Sequence, residues 1–226
     1  MTQIITKSFK DIFSKTVLLF TLKVTLISAV VTAIIAWLFG SMLTGFVKSY
    51  LSWIPWEWLQ TTGASVATVA IAYMLFIITI SIVTSLMVEP LLIKLAAKHY
   101  PDKPVTGSPN IVKSLMLSLK AGLIFLVIFL FTFPVMFIPL VGAVWMLWLW
   151  SLLIKEPTLY DVGSLFINDP SELKAKKKGT TILAMIAAAF NYIPIVNIFA
   201  AVFAQILFLH HVLGSEEVES KNDNTL

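Results

Sequence analysis

Two five-residue segments hold the positions where this chain could do chemistry: Ile138-Pro139-Leu140-Val141-Gly142 and Ile193-Pro194-Ile195-Val196-Asn197. Each lies near the centre of a long apolar stretch, the first in Ala121 to Ile154 and the second in Thr181 to Val212. Proline breaks the helical ladder and glycine permits a tight reversal, so each segment reads as a tip where one helix ends and another begins. The first amides of a new helix have no partner within it and carry the positive end of its dipole. Such an end attracts an anion without any charged side chain. Gly142 and Ala143 at the first tip and Asn197 at the second are the candidate anion contacts, with Pro139 and Pro194 as the structural or gating breaks. Asn191 and Gln205 add polar groups at depths where polarity is costly. Tips that are simply capped and packed are the competing reading.

Other chemistry is thinly represented. There are no cysteines, so thiol chemistry, disulfides and thiolate metal sites are excluded. All the basic residues are lysines, which removes bidentate guanidinium clamps. No HExxH, GxSxG, Walker A or GxGxxG pattern occurs. His210 and His211 are adjacent, so on a helix they point about 100° apart and cannot share a metal without distant partners. They are expected at the membrane interface. No enzyme activity, cofactor or metal is predicted. The net charge of +4 does not indicate nucleic acid, because none of the binding motifs is present.

Three charged residues remain ambiguous. Lys15 precedes the first apolar run and Lys23 interrupts it near one end. Lys23 either runs its stem along lipid to the headgroups or faces an internal pathway. Glu89, before Pro90, either complements a helix N-terminus or takes part in gating. We count Lys23 as a candidate substrate contact and Glu89 as a gating or structural residue.

The elements that would position these residues follow from hydropathy. With 58% hydrophobic and 12% charged residues, and a mean hydropathy of +0.92, the chain is a polytopic membrane protein. Val17 to Gly40 and Ala64 to Val88 read as full spans. The tryptophans at 53, 56 and 58 between them read as interfacial anchors. Residues 1–15 form an amphipathic surface helix. Ser108-Pro109 is expected to cap a second surface helix, and Asp169-Pro170-Ser171-Glu172 forms a capping box before a third, which carries the lysines up to Gly179. Each half of Ala121 to Ile154 would be about 13 to 17 residues, or about 20 to 25 Å. That is short of the ~30 Å hydrocarbon core. The fold expected is therefore all-α: two full transmembrane helices, two re-entrant, half-penetrating helical hairpins and amphipathic surface helices. Four short spans forming two complete hairpins are the rival arrangement. Residues 1–213 make one integral membrane domain, and 214–226 an acidic, disordered tail.

Lysines set the orientation. They cluster before the first span, between Glu89 and Lys120, and between Lys155 and Thr180, whereas only Lys48 lies between the spans. The positive-inside rule places both termini and both basic linkers in the cytoplasm. Lys176, Lys177 and Lys178 are expected to contact anionic lipid heads.

The order of two long spans, the Glu89-Pro90-Leu91-Leu92 turn, the segment IPLVGAVWMLW, the basic linker and the closing IPIVNIFAAVF together resemble the CysZ-like sulfate permease family, which shares its domain with the eukaryotic etoposide-induced protein. The resemblance extends over roughly Ser8 to Leu213. It implies two full spans with two pairs of half-penetrating helices, assembly as a homo-oligomer and, in bacterial members, sulfate uptake across the inner membrane. The family's anion contacts lie in a glycine-leucine-arginine type segment before the first span. Here the corresponding Ser14 to Leu19 has neither glycine nor arginine, which leaves Lys15 as the nearby charge and as the candidate substrate contact that the resemblance implies. Ala97 and Tyr100 stand near where the family favours glutamates. Two functions are thus expected to compete: a transporter or channel for a small inorganic anion, and a non-transporting assembly or lipid-interaction factor.

Overall fold

A computed structural model describes residues 1–53 and 55–223. Among them are nine α-helices and no strand: α1 (Thr2–Ile12), α2 (Lys15–Tyr50), α3 (Glu57–Met87), α4 (Glu89–His99), α5 (Ile111–Thr132), α6 (Val141–Gly163), α7 (Pro170–Ala175), α8 (Thr180–Ala189) and α9 (Ala200–Asp223). Helices α2, α3 and α5 and the segment Val196–Gly214 are each long and apolar enough to cross a membrane. The protein is an all-α, multi-pass membrane protein. Its last three residues, the end of the acidic tail, lie outside the described residues, as do the tail's side chains.

The chain forms two compact units, Leu19–Met87 and the remainder, Met1–Leu18 with Val88–Leu226. The first comprises the body of α2 and all of α3. Helix α2 is 36 residues long, about 54 Å, and does not end at Gly40 as expected. It continues to Tyr50, and α3 starts again at Glu57. Residues 41–50 include Met, Leu and Lys, good helix formers that carry the helix through one further glycine, and the break waits for Pro55. The hydroxyls of Thr44 and Thr68 lie 3.2 Å apart and tie the two helices. Lys48 and Glu57 face each other at 3.8 Å near the turn, and Trp53, Trp56 and Trp58 are exposed there.

In the other unit α9 is the central element. It packs against α1, α4, α6 and α8, with Val202, Phe203, Ile206, Leu207, Phe208 and Leu209 fully buried. Helix α4 begins with Glu89 and Pro90 in its first turn, matching the bend read from the sequence. Helices α5 and α6 pack on one another as a helical pair, and so do α8 and α9. The first pair departs from expectation. The surface helix and the first arm are one continuous helix of 22 residues, because neither Lys113 nor Lys120 interrupts helical geometry and no proline separates the two parts. Its cap is Asn110 rather than Ser108: the Asn110 side-chain oxygen accepts from the Lys113 amide at 3.1 Å, as asparagine does well at this position. The Asp169 cap forms as read, accepting from the Ser171 amide at 2.9 Å. That helix stops at Ala175, before the lysine cluster.

Candidate functional site

Both tips follow the same backbone path. Ile138 (φ −86°, ψ 112°) and Ile193 (φ −108°, ψ 107°) are extended, as a residue before proline must be. The residue after each proline is left-handed: Leu140 has φ 64° and ψ −50°, and Ile195 has φ 71° and ψ −47°. These values are close to a γ-turn, and at the first tip the Val141 amide donates to the Pro139 carbonyl at 2.7 Å. Each chain then closes with the same bond. The Gly142 amide donates to Ile138 O at 2.8 Å, and the Asn197 amide to Ile193 O at 3.0 Å. Gly142 is required by packing, since a Cβ there would fall 2.5 Å from the Met136 carbonyl oxygen. A leucine and a β-branched isoleucine at positive φ are outliers that cost about 1–3 kcal/mol each. Something must hold them.

The two tips hold each other. The Tyr192 hydroxyl donates to the Ala143 carbonyl at 2.8 Å, and the Tyr192 and Trp150 rings lie 5.1 Å apart. Pro139, Leu140, Pro194 and Ile195 are exposed at the joined ends, an apolar surface. Of the candidate contacts, Ala143 is tied to the second tip through Tyr192, while Gly142 and Asn197 are buried, each in its own turn. Their chemistry differs from expectation in one respect. The amides of Gly142 and Asn197 are used within the turns, so the tips present the positive ends of two helices more than bare donors. Lys15 is exposed at the start of α2, Lys23 is exposed in the α2–α3 unit, and Glu89 is half-buried. Among the described residues none of these three is hydrogen-bonded or ion-paired to a tip. Tyr192 went unnoticed in the sequence, although a tyrosine immediately before an Ile-Pro tip is a signal that could have been used.

A second polar cluster lies in the same unit. Asp11 on α1 is 2% exposed, and its carboxylate meets His99 Nε2 at 2.9 Å and His210 Nε2 at 2.9 Å. Lys98 Nζ approaches the same carboxylate at 3.3 Å. The Tyr100 hydroxyl lies 2.9 Å from His210 Nδ1, and Lys7 Nζ sits 5.2 Å above the Tyr100 ring. Burial by itself would raise the Asp11 carboxyl, but the hydrogen bonds from His210 and His99 outweigh it and hold the group well below the usual carboxylate range. The two histidines, expected at the membrane interface, face protein partners. His210 is completely buried, while His211 Nε2 lies 2.7 Å from the Lys176 carbonyl. The roughly 100° between neighbours on a helix sends one ring to α1 and α4 and the other to the basic linker. Asp11, set among lysines on an amphipathic helix, carried no sequence signal of burial.

The basic linker borders a cavity of about 390 Å3, lined by Lys113, Glu156, Tyr160, Asn168, Lys174 and Lys177 among others. Lys177 pairs with Glu156 at 3.0 Å, and that hydrogen bond lowers the Glu156 carboxyl below its ordinary value. Lys113 Nζ lies 4.7 Å over the Tyr160 ring.

No curated protein and no solved structure matches the chain significantly. One family model does match, described as Sulfate transporter CysZ/Etoposide-induced protein 2.4, and it covers residues 4–202. That range takes in α1, both long helices and both tips, so the chain belongs to the family of sulfate transporter CysZ and etoposide-induced protein 2.4.

Proposed function

We propose that the protein is a transporter or channel for a small inorganic anion in the bacterial inner membrane, with sulfate the first candidate. The observation that carries this reading is the family match across residues 4–202, the range that holds the paired tips. In this arrangement α2 and α3 span the bilayer, and the α5–α6 and α8–α9 pairs dip into it from the cytoplasmic side, where both termini lie. Two lengths favour re-entry. The apolar helix Thr180–Tyr192 is about 20 Å long, too short for a ~30 Å core. In the first pair the uncharged part of α5 begins only after Lys120, and that of α6 ends before Lys155. The joined tips then lie inside the membrane with their apolar ends outward, and the positive ends of α6 and α9 lower the cost of an anion there. Gly142, Ala143 and Asn197 border its path. Lys15 supplies charge along the approach, and Pro139, Pro194 and Glu89 set the turns. A homo-oligomer covers the remaining apolar surface.

The experiment is uptake of labelled sulfate by proteoliposomes holding the full chain. Flux above empty liposomes, reduced in Asn197→Leu, is expected. A panel of anions that move no faster than in empty liposomes would overturn the reading. The lysine-lined cavity between α6 and the basic linker favours a second function, binding of an anionic lipid headgroup by a protein that transports nothing. In that case flux is absent, and neutralising Lys174, Lys176, Lys177 and Lys178 abolishes retention of anionic lipid.

A further inference from the structure

We propose that Asp11, His99 and His210 form a site for one divalent transition-metal ion of the zinc class, which staples α1 to α4 and α9. The ligand atoms, one carboxylate oxygen and two imidazole nitrogens, all lie within 4.8 Å of one another. In a tetrahedral zinc site with bonds of about 2.0–2.2 Å, neighbouring ligand atoms stand about 3.3–3.5 Å apart. The two 2.9 Å contacts at Asp11 would therefore open by about half an ångström, and the widest-spaced ligand atoms, up to 4.8 Å apart, would close by up to about 1.3 Å. Side chains on three separate helices can yield that much without moving the backbone. Two imidazoles and a carboxylate suit zinc and its neighbours in the first transition row, and suit magnesium or calcium poorly.

The surroundings fit a metal as well as they fit the hydrogen-bonded cluster. With the site empty, His210 Nε2–H donates to Asp11 and Nδ1 accepts from the Tyr100 hydroxyl. With an ion bound, Nε2 becomes a ligand and the ring's one proton moves to Nδ1, where it donates to the same tyrosine oxygen. A hydroxyl can serve both tautomers, and such a second partner is what orients metal-bound histidines. Gly214 leaves room for it, since a Cβ there would come within 3.0 Å of the Tyr100 hydroxyl oxygen. Lys98 competes for the carboxylate, but its side chain is 59% exposed and can swing into solvent. Lys7 Nζ lies 5.2 Å over the Tyr100 ring. His99, 22% exposed, is the open edge through which an ion enters.

The test uses the full chain in detergent, freed of any affinity tag and of metal, and titrated with Zn2+ alone by calorimetry, with metal content measured after desalting. Saturable binding of roughly one ion per chain and a rise in thermal midpoint with Zn2+ are expected. Asp11→Asn and His99→Gln should each weaken binding by about 100-fold or more, and Tyr100→Phe by about 10- to 100-fold. His211→Gln should leave it unchanged. If Asp11→Asn does not fold, His99→Gln, altered at the half-buried edge, decides the matter. Wild-type protein that takes up no Zn2+, or His99→Gln that binds it as tightly as wild type, overturns the proposal.

Discussion

The Asp11 carboxylate and the His210 imidazole lie 2.9 Å apart, although 199 residues separate them in the chain. Both are almost completely shielded from water. This pair fixes the amphipathic N-terminal helix to the central helix of its unit, and the Phe9 ring, tilted against that of Phe203 at 4.9 Å, reinforces the joint. Removing the carboxylate leaves the buried His210 N–H without its acceptor, which typically costs about 1–3 kcal/mol. Asp11→Ala in metal-free protein is therefore expected to lower stability by about 1–3 kcal/mol and to expose α1 to proteolysis. Limited digestion and thermal unfolding in detergent would check this, and an unchanged midpoint would count against the pair.

Tyr192→Phe removes only the hydroxyl that joins the tips. The Ala143 carbonyl loses its hydroxyl donor at 2.8 Å, a loss of about 1 kcal/mol. If the tips act as one unit in transport, anion flux falls more than the small drop in thermal midpoint implies. Equal flux in mutant and parent would show the bond to be structural only.

Leu140 and Ile195 both hold φ near the left-handed region. Glycine relieves that strain but loses more freedom on folding, so Leu140→Gly and Ile195→Gly should be neutral or stabilising by up to about 1 kcal/mol. Alanine at either position keeps the strain and should give no such gain. Thermal unfolding of the four variants side by side distinguishes the cases.

The Glu156–Lys177 pair gives a pH dependence whose sign is set. The folded-state carboxyl lies below its ordinary value, so the pair's contribution is present at pH above the unfolded carboxyl value of about 4.3 and is lost as pH falls below it. At neutral pH Glu156→Gln should be less stable than wild type by well under about 1 kcal/mol, because the pair is partly exposed. The two should converge as the medium is acidified. A difference that grows toward acid pH would refute the assignment.

Much of the architecture could be read along the chain. The two long helices, the Glu89-Pro90 bend, the Asp169 cap and the twin Ile-Pro tips all depend on residues close in sequence, where proline, capping side chains and runs of apolar residues act locally. Helix ends were harder to place. Asn110 took the cap expected of Ser108, and α2 ran past Gly40 to Tyr50, because a single glycine weakens a helix without stopping it.

What sequence alone determined is which segments avoid water and where the chain must turn. Tertiary structure decided what those segments face. The candidate spans in α5 and at the start of α9 are similarly apolar, yet 6% of the first is buried within the protein and 72% of the second. Hydropathy measures transfer out of water and does not distinguish lipid from protein interior. For the same reason the joining of Tyr192 to Ala143, and of Asp11 to His99 and His210, had no signature in composition or spacing. A buried polar group is stable only where packing brings its partner, and that partner lay on another helix.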